Sequence, residues 1–133
     1  MDFNFNKNYE AREQIIFGFG EEYDKKNYPG GCRNFENMSV ETLQRLVDEK
    51  FAEPDDCQNC APTIGELLEY GKSHKGVVFG GYAVSADRDD YRVSIDTVNQ
   101  TFDNADELAA FSKAFRDADE FSVTTESGYA WWD

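Results

Sequence analysis

Apolar residues recur at helical spacing at Val40, Leu43, Val47 and Phe51, with Leu46 beside them. That stripe predicts a helix over 40–52 with one buried face. Ser39 stands where an N-cap is wanted, and Glu41 falls in the first turn, where the helix dipole favours an anion. Pro54 marks the end. Thr63-Ile64-Gly65-Glu66 reads as a capping box that opens a helix over 63–72, through Leu67, Leu68 and Tyr70. A third helix is predicted over 104–116. There Leu108, Phe111 and Phe115 share a face, and Glu107 completes a capping box on Asn104.

Elsewhere the period shortens to two. Val77 through Val84 is a β-rich run, and its Gly80-Gly81 pair predicts a bulge or a close backbone approach. After a turn at Asp87-Arg88-Asp89-Asp90, the residues Tyr91, Val93, Ile95 and Thr97 alternate with Arg92, Ser94, Asp96 and Val98. This is the pattern of a half-buried strand returning against the first, a hairpin over about 77–98. Phe121, Val123 and Thr125 alternate again, and Ser127-Gly128 turns the chain into Tyr129-Ala130-Trp131-Trp132, a second hairpin over about 119–132. Residues 1–38 admit two readings. Asn8 caps a helix through Tyr9, Ile15, Ile16, Phe19 and Tyr23, or a strand runs over Gln14–Phe19. Gly18 and Gly20 weaken the helix by about 1 kcal/mol each. Tyr28-Pro29-Gly30-Gly31-Cys32 is a turn. The order of elements predicts one α+β domain over 1–133: an antiparallel sheet built from two hairpins, with the helices packed on one face.

Composition sharpens this picture. Leu, Ile, Val and Phe make up 28 of 133 residues, close to the level of about 20% below which a highly charged chain stays unfolded. Twenty aromatic side chains, 11 of them Phe, tip the balance to folding. No apolar run reaches the roughly 18 residues of a membrane span, and Met1-Asp2-Phe3-Asn4-Phe5-Asn6 lacks the basic and apolar parts of a secretion signal. A cytoplasmic protein is expected. The net charge of −14 excludes direct binding to nucleic acid or to an anionic membrane, both of which would repel it.

Cys32, Cys57, Cys60 and His74 match the ligand count of a tetrahedral zinc site, with Cys57 and Cys60 in a C-x-x-C. The spacing is not that of a recognised finger: 24 residues separate Cys32 from Cys57, and 13 separate Cys60 from His74. Reduced thiols in a reducing compartment are the competing reading, and an internal disulfide a third. A redox role is disfavoured, because Asp55 and Asp56 precede Cys57 and work against a thiolate. His74 sits at a polar helix end, where a basic side chain suits the dipole. Gly18-Phe19-Gly20 lacks the downstream glycine and lysine of a phosphate loop, and Asp87-Arg88-Asp89-Asp90 lacks the glycine and glutamate of a calcium loop. Nothing specifies a catalytic centre, so a non-enzymatic domain leads over an enzyme using scattered carboxylates. No cofactor is expected apart from that zinc.

The charge is uneven. Residues 76–133 hold twelve carboxylates and four cations, −8 of the total −14. Asp103, Asp106 and Glu107 at one helix end, and Lys113 and Arg116 at the other, are explained by the dipole. Asp117, Asp119 and Glu120 continue past that helix, where the dipole no longer favours them. Carboxylates spaced about 6–7 Å along a strand, or about 5–6 Å on a helix face, imitate the phosphates of a nucleic acid. The leading reading is therefore an acidic interaction domain that binds a basic protein surface, as a nucleic-acid mimic inhibiting a DNA- or RNA-binding enzyme. Asp87, Asp89, Asp90, Asp117, Asp119 and Glu120 are expected on one exposed face. Tyr129 and Trp131 share one side of the last strand, and Ala130 and Trp132 the other. Packing is the expectation for Trp131, and Trp132 joins the contact set. In size and acidity the chain is similar to the small phage-encoded inhibitors of restriction and CRISPR nucleases, a likeness of type with no shared motif.

Overall fold

A computed structural model describes residues 3–133. Its centre is a sheet of five strands: β1 (Cys32–Ser39), β2 (Val77–Val84), β3 (Val93–Thr101), β4 (Glu120–Val123) and β5 (Ser127–Trp131). They lie in the order β1-β2-β3-β5-β4 and are antiparallel throughout. Four helices complete the α+β fold: α1 (Tyr9–Phe17), α2 (Val40–Asp48), α3 (Ile64–Ser73) and α4 (Ala105–Phe115). Both hairpins form, and the second joins the first through β5, its own last strand. β1 adds a strand that the apolar pattern does not announce.

Two adjacent rows of the sheet show how its faces differ. Met38, Phe79, Val98, Ala130 and Phe121 stand opposite one another across all five strands, and the first four are buried. One residue along, the row is Ser39, Val78, Asn99, Tyr129 and Ser122. The helices cover only the first face. The Gly71 Cα approaches Val40 and the Phe79 ring so closely that a Cβ would lie 2.6 Å from Val40. Phe111 stacks on Phe121, and Tyr70 and Trp132 both meet Phe115 edge to face.

The N-caps form where the sequence predicts, and Thr63–Glu66 closes its reciprocal capping box. The box predicted on Asn104 does not close, because the Glu107 carboxylate turns to His74 and Gln100 instead. Ser39, Thr63 and Asn104 accept from the backbone N–H of Thr42, Glu66 and Glu107. α2 stops four residues short of its predicted end, because Lys50 turns left-handed (φ 68°) and Phe51 donates back to the Leu46 carbonyl. Phe51 is buried all the same. Gly80-Gly81 does mark an irregularity: the pairing passes from Gly80–Thr97 to Gly81–Ile95 and leaves Asp96 as the extra residue on β3.

Of the two readings of the first segment, the helix is the one that forms. Asn8 caps α1 by accepting from the Ala11 N–H. It ends at Gly18 (φ 121°), so Phe19 and Tyr23 lie outside it, and Phe19 is fully exposed. What α1 buries is polar. Arg12 and Glu13 have no exposed surface. Tyr28 donates to Glu13, Arg33 pairs with Glu13 at 2.9 Å, and Arg12 donates to the Tyr28 hydroxyl and lies 4.4 Å above the Tyr91 ring. Burial pushes the Glu13 carboxyl up, against the pull of Arg12 and Arg33.

Candidate partner-binding face

The helix-free face is built by the alternation of β5 and the bulge of β3. Gly128 and Ala130 point into the core, where a Cβ on Gly128 would lie 2.6 Å from Phe111. Tyr129 and Trp131 must then point the other way, and both are half-buried. Trp131 stands opposite Thr97 on β3 and Glu120 on β4. The bulge turns Asp96 onto the same side as Thr97, whose hydroxyl donates to its carboxylate at 2.7 Å. Burial pushes the Asp96 carboxyl up, opposed by hydrogen bonding from Thr97 and Trp131. The Tyr129 hydroxyl is also pushed up, by burial and then by the charges of Glu120 and Asp96.

These groups line a shallow concavity of about 610 Å³, with Asn34 and Asn37 from β1 and Asn99 from β3. Among the described residues its charged lining is Glu36 and Asp96, with no lysine, arginine or histidine. A second hollow of about 310 Å³ continues past Tyr129 to Val78 and Ser122. Among the described residues Glu36, Asp96 and Glu120 make no ion pair. The surface therefore offers indole and phenol faces, amides and uncompensated carboxylates.

The acidic residues expected to act together are divided. At the β2–β3 turn Asp87 pairs with Lys25 at 2.8 Å, and Asp90 takes two hydrogen bonds from Arg88 and one from Arg92. Lys25 and the Ser85 hydroxyl hold the Asp87 carboxyl down at about 2, and Arg88 leads the lowering of Asp90. That turn neutralises itself, with only Asp89 free of an ion pair. Asp117, Asp119 and Glu120 approach the same end of the sheet, but at its β4 edge, with β5 between them and the turn. Asp119 accepts from the Asp133 N–H, while Glu120 belongs to the helix-free face.

The tryptophans are the reverse of expectation. Trp132 is 5% exposed and packs on Phe115, so it is no surface contact; Trp131 is the indole on the open face. Small residues carry the missed signal: Gly128 and Ala130 are small because Phe111 and the core lie over them.

The zinc set is not assembled. Among the described residues no three His, Cys, Asp or Glu side chains are placed to hold a metal ion. Cys57 and Cys60 are exposed free thiols, and Cys32 is a third on β1. His74 is committed elsewhere: its Nδ1 lies 2.7 Å from Glu107, and its ring stacks on Tyr70. A larger hollow of about 940 Å³ beside α2 is lined by charges of both signs. Among the described residues no helix is long and apolar enough to cross a membrane.

No family model matches the sequence, and neither a curated protein nor a solved structure matches it.

Proposed function

We propose that the protein is a non-enzymatic acidic interaction domain whose helix-free sheet face binds a basic protein surface. One observation carries this reading. The chain pairs Asp87 and Asp90 at the β2–β3 turn with Lys25, Arg88 and Arg92, yet among the described residues Glu36, Asp96 and Glu120 have no cation around two half-exposed aromatics. Burying such carboxylates against another molecule requires that the other molecule bring positive charge. A protein that binds nucleic acid carries a basic surface of that kind, and a net charge of −14 steers encounter with it. In that use the domain is an inhibitor that occupies the groove in place of DNA or RNA. The three unbridged cysteines suit a reducing, cytoplasmic setting.

The test is capture from a lysate at about 50 and about 500 mM salt, across which the Debye length falls about threefold. Wild type should retain basic nucleic-acid-binding proteins at low salt and release them to added duplex DNA. A Glu36→Lys, Glu120→Lys double variant should lose them, and Asp89→Lys at the turn should not. Retention indifferent to salt and to the double variant would leave the face a solvated surface.

A further inference from the structure

Resting on the reading above, we infer that the helix-free face recognises an arginine-bearing segment of its partner, the guanidinium lying on Trp131 and pairing with Asp96. The chain's own chemistry shows the preference. Arg33 lies 3.6 Å from the Phe17 ring centre and pairs with Glu13 at 2.9 Å. Arg92 lies 5.8 Å from the Tyr82 ring centre and pairs with Asp90 at 3.2 Å. Each site combines a guanidinium, an aromatic face and a carboxylate. Trp131 and Asp96 supply the last two of these, and among the described residues no cation lines their concavity.

The recess suits a guanidinium better than an ammonium. A guanidinium is planar and weakly hydrated, so it can lie on an indole while its edge reaches a carboxylate. It also has five N–H donors in a fixed plane, and the amide oxygens of Asn34, Asn37 and Asn99 around the same hollow can accept those that Asp96 leaves over. Lysine brings a compact, strongly hydrated charge with three donors, and gains less from a flat ring. Glu120, opposite Trp131, adds a second carboxylate at the rim. At about 610 Å³ the hollow exceeds one side chain, so it takes the arginine together with its flanking backbone.

The experiment is calorimetric titration with a capped glycine–arginine repeat peptide, its lysine and citrulline counterparts, and cellohexaose as a neutral ligand. The arginine peptide should bind several-fold more tightly than the lysine peptide, and the citrulline peptide should not bind. Asp96→Asn keeps the shape and the Thr97 partner but removes the charge, and should weaken arginine binding about tenfold or more. Trp131→Ala should weaken it by about two- to fivefold, with Trp131→Phe recovering part of the loss. Asp89→Asn should leave it unchanged. Thermal melts of each variant separate lost binding from lost folding. Equal, salt-sensitive binding of the arginine and lysine peptides, insensitive to both face variants, would overturn the arginine slot and leave the basic-partner reading standing. Failure of either cationic peptide to bind, with cellohexaose bound and lost in Trp131→Ala, would overturn both.

Discussion

His74 Nδ1 lies 2.7 Å from the Glu107 carboxylate, and the same carboxylate accepts from the buried Gln100 amide at 2.8 Å. The pair ties the end of α3 to the start of α4. The His74 ring and then the Gln100 amide hold the Glu107 carboxyl below its ordinary value of about 4.5. A carboxyl lowered in the folded state contributes stability that is present above its unfolded value and is lost as pH falls through the folded one. The melting temperature should therefore drop on the acid side of about 4.5, and that part of the drop should shrink in His74→Ala. Melting curves between neutral pH and acid for both proteins check this; parallel acid limbs would refute the linkage.

Gln100 is the hub of the same cluster, since Tyr70 donates to it at 2.6 Å while its amide serves Glu107 and the Lys75 carbonyl. Gln100→Leu should cost about 1–3 kcal/mol, because the half-buried Tyr70 hydroxyl is left without its acceptor. Tyr70→Phe in the Gln100→Leu background should recover part of that loss, as urea unfolding would show.

Glu13 faces Arg12, Tyr28 and Arg33 with no exposed surface of its own. Removing one member of a buried ionic cluster strands the rest. Glu13→Ala should destabilise by about 3–5 kcal/mol, and Glu13→Gln by less, since the amide still accepts from Tyr28. The Arg12 Nε has no hydrogen-bond partner among the described residues. Arg12→Met should consequently be milder than Glu13→Ala in the same denaturation series.

Gly80 and Gly81 are neighbours with unlike tolerances. A Cβ on Gly81 would overlap the Ser94 carbonyl oxygen, whereas on Gly80 its closest neighbour would be the Thr97 Cβ at 3.3 Å. Gly81→Ala should cost about 3 kcal/mol or prevent folding, and Gly80→Ala should cost less than about 1 kcal/mol. Thermal melts of the two variants settle the order.

The cysteines should prove inert to metal chemistry. Cys57 and Cys60 are exposed thiols, and His74 is engaged by Glu107. EDTA should leave the melting temperature unchanged, and Cys57→Ser should stay within about 0.5 kcal/mol of wild type. A chelator-sensitive melt would restore the zinc site.

Much of the fold was legible where burial and periodicity coincide. α2, α3 and α4 carry apolar stripes and side-chain caps, β2 is a largely buried β-rich run, and β3, β4 and β5 carry alternation, broken in β3 by the bulge. β1 was hidden because its register shifts between Phe35 and Met38, where Asn37 adopts φ 56°, so its two buried residues are three apart rather than two. Arg12 and Glu13 were unreadable for another reason: a pattern search counts apolar side chains, and α1 buries a charge pair. Of the site, Glu120 was singled out for lacking a structural purpose. Asp96 stands in the sequence only as one polar position in the β3 alternation, and only the bulge sets it beside Trp131.

Trp131 and Trp132 are consecutive, yet they occupy two different solvents. Trp132 is enclosed by the core, while Trp131 is half in water above Thr97. The two indoles thus form a built-in pair of optical probes, one reporting on packing and the other on the outer face. Ionic quenchers will reach Trp131 but not its neighbour. With carboxylates around that ring, caesium should accumulate there and iodide should be repelled. The ratio of the two quenching constants gauges the local potential, and its collapse on mixing with a cationic molecule would time the neutralisation of that face directly.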